Sequence, residues 1–140
     1  MNQYWQDYRL VRIGLSGLPL SVHYELGRCL TNAIERLDRN VVLLASGDLS
    51  HRLRADGPYG YQKEGPEYDR RIMDVMERAA FLELLQFSDD FCGKAGECGH
   101  RSFTILAGAL EGKEVKAQKL SYEGPFGVGY GICSYLHTVS

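Results

Sequence analysis

Val41-Val42-Leu43-Leu44-Ala45-Ser46-Gly47-Asp48-Leu49-Ser50-His51 is the stretch whose reading decides the fold. Five apolar residues read as a buried strand, and small polar residues ending in a histidine follow them. In open α/β folds the carboxyl ends of strands are where ligands gather. Upstream, Tyr8-Arg9-Leu10-Val11-Arg12-Ile13-Gly14-Leu15 is rich in strand formers and stops at Ser16-Gly17. Between these runs, Val22, Leu26, Leu30, Ala33, Ile34 and Leu37 recur at helical spacing, with Ser21 as N-cap and Asp38-Arg39-Asn40 as the break. Strand, helix, strand in this order predicts a parallel pair joined by a crossover helix.

Downstream, Arg52 to Gly65 is a long irregular stretch containing Gly57-Pro58-Tyr59-Gly60-Tyr61. Loops of this length within compact domains are commonly functional. Pro66 suits the first turn of a helix that carries Tyr68, Ile72, Val75, Met76 and Ala79. Phe81–Phe87 continues helically, and Ser88-Asp89-Asp90 caps another short helix ending near Ala95-Gly96. Phe103, Leu106, Ala107 and Leu110 give the apolar face of a further helix, closed by Gly112. The period then changes. Val115–Tyr122 and Val128–Leu136 read as strands separated by Gly124-Pro125-Phe126-Gly127. The whole predicts a single α/β domain over 1–140, with about four strands and four or five helices.

The composition narrows the function classes. The 140 residues suffice for one core, and 44% hydrophobic with 24% charged residues is ordinary for a globular protein. A net charge of −2 without a basic stripe argues against nucleic acid. No apolar run approaches the roughly 20 residues of a membrane span, and the start lacks a signal-peptide pattern. The four cysteines show no framework spacing and no C-x-x-C, so reduced thiols in a cytoplasm are expected. Cys29 and Cys133 lie in apolar patterns and read as small core residues.

Two constellations carry candidate chemistry. His51 beyond the strand end is a candidate general acid/base, because imidazole titrates near neutrality and Asp48 is placed to orient it. The competing reading is a loop histidine satisfied by Asp48 or Ser50. In Gly96-Glu97-Cys98-Gly99-His100-Arg101, a carboxylate, a thiol and an imidazole fall within four residues at the opening of a helical pattern. Carboxylates suit iron(II) or manganese, and thiolates suit zinc or copper. Adjacent side chains diverge, so one of Glu97 and Cys98 points into a site and the other packs or stays solvated. The competing reading is a helix N-terminus with Glu97 on the dipole and Cys98 in the core. His100 is a weaker ligand candidate. Tyr59, Tyr61, Tyr122 and Phe126 lie in glycine- and proline-rich loops and either line a pocket or cover a sheet edge.

With these residues in view, the chain resembles the C-terminal half of class III extradiol ring-cleavage dioxygenases of the catalytic B-subunit family. Its nearest resemblance is to the Memo-like bacterial branch. The matching pieces are Ala45–His51, Gly57–Tyr61, Ala95–Gly99 and Leu120–Tyr130, in one order over almost the whole chain. The resemblance implies a layered α/β/α fold, with a mixed sheet of about four strands, that is half of the B-subunit fold. It implies non-haem iron(II) held by two histidines and a glutamate, cleaving a small catechol-type aromatic. His51 matches the acid/base histidine of the dioxygenases. Glu97 falls near their ligating glutamate, whereas Cys98-Gly99 matches the cysteine of Memo proteins, which implies zinc or copper, or no metal. Ser46, Asp48, Tyr59, Tyr61 and Phe126 fall where the substrate pocket is expected. The family's two metal-ligating histidines have no counterpart here, since nothing precedes Tyr8 to supply them and His23 sits in a helical pattern without their motif. The resemblance therefore implies a site shared with a missing N-terminal half, an isolated chain inactive in ring cleavage, and a homo-oligomer covering the exposed face.

Overall fold

The structure is a computed structural model and describes residues 7–137. The expected domain over 1–140 thus extends at both ends beyond the described residues. Helix α1 spans Leu20–Ile34, α2 Glu64–Glu77, α3 Asp89–Ala95 and α4 His100–Ala109, with a 3-10 segment at Phe81–Gln86 between α2 and α3. Strands β1 (Val115–Glu123) and β2 (Tyr130–His137) form one antiparallel pair, with a register shift between Lys119 and Ser121. Among the described residues no helix is long and apolar enough to cross a membrane.

The C-terminal two-thirds follows its pattern. Tyr68, Ile72, Val75 and Met76 of α2 are buried together with Leu84, Phe87, Phe103 and Ala107. The Ser88 hydroxyl accepts from the Phe91 N–H at 3.2 Å and starts α3, and Gly96 ends it in the left-handed region. One face of the hairpin covers α2, where the Tyr135 hydroxyl donates to the Met76 carbonyl at 2.7 Å.

The N-terminal third departs from its pattern. The sheet has two strands where about four were expected, and neither Tyr8–Leu15 nor Val41–Ala45 pairs with another strand. A strand's backbone donors need a neighbouring chain to close its ladder, and apolar patterning does not supply one. Leu10, Val11, Val42 and Leu44 are correspondingly exposed, at 64%, 80%, 65% and 69%. The parallel pair and the layered α/β/α sheet are therefore absent among the described residues.

Helix α1 is present but turns a different side inward. Val22 and Leu26 are exposed, as is Leu37 beyond its end, while His23, Tyr24 and Gly27 are buried. The cause is α4. A Cβ on Gly27 would overlap the Ile105 carbonyl, and one on Gly108 would overlap the Tyr24 carbonyl. Two glycines thus let the helix backbones meet directly, and the side of α1 that carries Gly27 with His23 and Tyr24 packs in preference to the apolar one. The N-cap is Pro19, without a side-chain cap, instead of Ser21. His23 is held by its neighbours: Nδ1–H donates to the Pro19 carbonyl at 3.1 Å and Nε2 accepts from the Ser16 N–H at 3.4 Å. Cys29 is exposed and so is not the core residue expected from its pattern, whereas Cys133 is half-buried against the core and Cys92 is buried.

Candidate functional site

Three segments converge on one place: the turn 46–52, the loop 57–61 and the junction between α3 and α4. Glycines permit the approach. A Cβ on Gly47 would overlap the Gly99 Cα, and one on Gly99 would run into the Phe103 ring and, at 3.1 Å, the Asp48 carbonyl. The two segments consequently exchange bonds. Cys98 N–H donates to the Asp48 carbonyl at 3.3 Å, and Asp48 N–H donates to Cys98 Sγ at 3.1 Å.

The result is a compact donor set. One ligand atom each from Asp48, His51 and Cys98 lies within 4.8 Å of the other two. His51 Nε2 stands 3.4 Å from Asp48 Oδ2, inside ion-pair range, yet it is buried and makes no aligned hydrogen bond. A buried ring nitrogen without a partner is uncommon and calls for an explanation. The other face of the imidazole is covered by Tyr59, whose ring stacks at 5.1 Å and 30°.

A metal ion fits this set. Ligand atoms about 2.0–2.3 Å from a zinc-sized ion lie roughly 3–4 Å from each other, so a modest contraction would bring nitrogen, oxygen and sulfur to bonding distance. Three donors leave further positions open. Cys98 is exposed and Asp48 and His51 are half-buried, so the group has access to solvent.

Glu97 does something else. Its Oε2 accepts from the His100 N–H at 2.6 Å at the N-terminus of α4. Such an acceptor satisfies a helix donor and complements the dipole. Burial raises the Glu97 carboxyl pKa, against the opposing effect of that N–H. Side chains at 97 and 98 thus diverge, as adjacency demands, and the thiol is the one that meets His51.

His100 is neither a ligand nor a solvated loop residue. It is 1% exposed. Its Nε2–H donates to the Leu84 carbonyl at 2.9 Å, and Nδ1 accepts from the Tyr68 hydroxyl at 2.9 Å. Burial lowers its pKa to about 4, so it is a neutral core residue at neutral pH.

The remaining expected pocket residues are spread out. Ser46 is exposed beside the turn. Tyr61 forms an isolated bridge with Leu53 and leaves its ring half exposed, and Phe126 is 72% exposed. Tyr122 is also exposed, at 43%, but its hydroxyl donates to Asp69 Oδ2 at 2.7 Å. Sequence reading missed Asp69, which is 1% exposed and accepts from the Ser50 N–H at 2.8 Å. A lone Asp amid a strongly apolar helical face was the available signal.

Comparison with known proteins places the chain in a family. Residues 1–133 match the family model described as the catalytic LigB subunit of aromatic ring-opening dioxygenase. A protein of Clostridium acetobutylicum is 44% identical over 132 residues, covering 94% of this chain and 28% of that protein. A MEMO1 family protein of Thermococcus onnurineus is 32% identical over 133 residues, covering 87% of this chain and 44% of its own length. One from Pyrococcus furiosus is 31% identical over 134 residues, covering 88% and 44%. The chain thus spans less than half the length of these relatives. With the family model matched over nearly its whole length and MEMO1 family proteins among its relatives, this chain belongs to the LigB family of class III dioxygenase-type, Memo-like domains.

Proposed function

We propose that this chain supplies part of a metal-binding site of the Memo-like kind, with Cys98, His51 and Asp48 as its donors. The observation that carries this reading is the approach of three ligand atoms to within 4.8 Å, one of them a buried Nε2 lacking a hydrogen-bond partner. A mixed sulfur, nitrogen and oxygen set favours zinc, copper or iron over magnesium or calcium. Such an ion, when bound, supplies Lewis-acid or redox chemistry. Asp48 N–H fixes the Cys98 sulfur, and Tyr59 fixes the plane of the His51 ring.

A second reading is oxidative ring cleavage of a catechol-type aromatic with non-haem iron(II). The family match supports it, as do Tyr59, Tyr61 and Phe126 exposed beside the turn. Here His51 moves the substrate proton and Glu97 ligates through the oxygen not given to His100 N–H.

Titration of the reduced chain with zinc, cobalt and iron(II) separates the two. Cys98→Ser should weaken binding at least about tenfold, and Glu97→Gln should leave it within about threefold. Loss of binding in Glu97→Gln alone would reject the thiolate reading and favour the second. Full-length protein is then assayed for cleavage of a catechol with iron(II). Ring-opened product that depends on His51 would establish the second reading.

A further inference from the structure

Asp48, Leu49, Ser50 and His51 follow one another without a break, yet this turn is held almost entirely by other parts of the chain. Leu49 N–H donates to the Gly129 carbonyl at 2.9 Å, and Gly129 N–H donates to the Ser50 carbonyl at 2.8 Å. The Ser50 hydroxyl donates to the Ala95 carbonyl at 2.7 Å and accepts from Arg52 N–H at 2.9 Å. The Ser50 N–H goes to Asp69 Oδ1 at 2.8 Å. Asp69 Oδ2 takes the Tyr122 hydroxyl at 2.7 Å. One carboxylate of α2 therefore ties the donor-bearing turn to β1.

Asp69 is an expensive choice for a merely structural acceptor. Both its partners are neutral donors, and it is 1% exposed. A buried carboxylate without a cation is costly to desolvate. The carboxylate packs directly against the Gly129 backbone, where a Cβ would overlap Asp69 Oδ2. What this acceptor holds is the main-chain N–H of Ser50, one of the two residues between the candidate donors Asp48 and His51. That N–H lies within the turn that carries both donors.

We propose that Asp69 is the positioning residue of this site: by accepting the Ser50 N–H while braced by Tyr122, it sets the turn that presents Asp48 and His51 to Cys98. The inference rests on the metal-binding reading of those three residues, and it acts through hydrogen bonds. Asn at 69 can accept the Ser50 N–H through its Oδ1 and donate from its amide to the Tyr122 oxygen. Ala can do neither.

The experiment compares the full chain with Asp69→Asn, Asp69→Ala and Tyr122→Phe. One readout is cobalt(II) titration followed by the thiolate-to-cobalt absorption band. The other is NMR of the Ser50 amide and the His51 ring without metal. Asp69→Ala should weaken cobalt binding about tenfold or more, move the Ser50 amide upfield and average the His51 ring signals. Asp69→Asn should stay within about threefold of wild type. Tyr122→Phe should shift the same two NMR signals by a smaller amount. An unchanged His51 ring in folded Asp69→Ala overturns the inference whether or not cobalt binds. An Asp69→Asn loss as large as that of Asp69→Ala overturns it too, because charge and not positioning would then be at work. Should Asp69→Ala fail to fold, Tyr122→Phe decides, and unchanged Ser50 and His51 signals there overturn it. A wild-type chain that gives no cobalt band rejects the metal reading alone, while the NMR comparison still judges Asp69.

Discussion

Asp48 N–H donates to the sulfur of Cys98 at 3.1 Å although the two residues lie 50 positions apart. The turn after Ala45 and the start of α4 are thereby joined at the atoms that carry the candidate chemistry. Two facing glycines, Gly47 and Gly99, make the approach sterically possible. The junction is thus as sensitive to added bulk as to loss of a donor.

Gly47→Ala should therefore damage the site and the fold together. The added Cβ overlaps the Gly99 backbone, which cannot rotate aside as a flexible side chain would. Overpacking of this kind costs about 1–3 kcal/mol. Urea unfolding should show that loss, and cobalt titration should show a weakened band. A variant equal to wild type in both would contradict the contact.

The α1–α4 interface should be equally intolerant. Gly27→Ala and Gly108→Ala each place a methyl on a carbonyl of the opposite helix. Each should destabilise by about 1–3 kcal/mol, while Val22→Ala on the exposed side should change stability by less than about 0.5 kcal/mol. Thermal or urea unfolding of the three variants checks the ranking, and a large Val22 effect with silent glycines would reverse the assignment of the buried face.

Stability should fall as the solution is acidified from about neutrality, with His100 as the main cause above pH 5. Its pKa is lowered from 6.5 to about 4 by burial. Between those values the unfolded chain binds a proton that the folded chain refuses, so stability present above pH 6.5 is lost on the way down to 4. The whole shift corresponds to an effect on the order of 3 kcal/mol. Asp69 and Glu97 act in the other direction, because burial raises their carboxyl pKa values and protonation at low pH favours the folded state. Their effect is felt nearer the ordinary carboxylate range. Urea midpoints at pH 7, 6 and 5 should decline for wild type and stay flatter for His100→Gln. Parallel declines in both would remove His100 as the source.

Association is expected on the side where apolar residues stand uncovered. Leu10, Val11, Val22, Val42 and Leu44 are all exposed, and exposed apolar patches beyond a few hundred Å² promote binding. A second copy of this chain is the expected occupant. Light scattering over a dilution series should show mass rising above 15.7 kDa with concentration. A constant monomer mass at high micromolar concentration would end this expectation.

Sequence alone determined the elements whose interactions are local or whose two sides are unambiguous. Helix α2 followed from its apolar spacing and α3 from Ser88 and Gly96. The final hairpin followed from two strand-like runs about a Gly-Pro turn, because neighbouring strands need only a short connection to pair. The family was also legible, since its motifs are short and local. Tertiary structure decided what no periodicity encodes. Val41–Ala45 has a strand's composition, but only a neighbouring backbone can complete a ladder, and none lies beside it among the described residues. The inward side of α1 was set by glycine contacts with α4, where close backbone approach outweighed side-chain hydrophobicity. The separate placement of adjacent Glu97 and Cys98 was also geometric: the helix N-terminus took the carboxylate and the Asp48 N–H met the sulfur. Asp69 became visible last, because a buried carboxylate 19 positions from Ser50 has meaning only once α2 is packed against the turn.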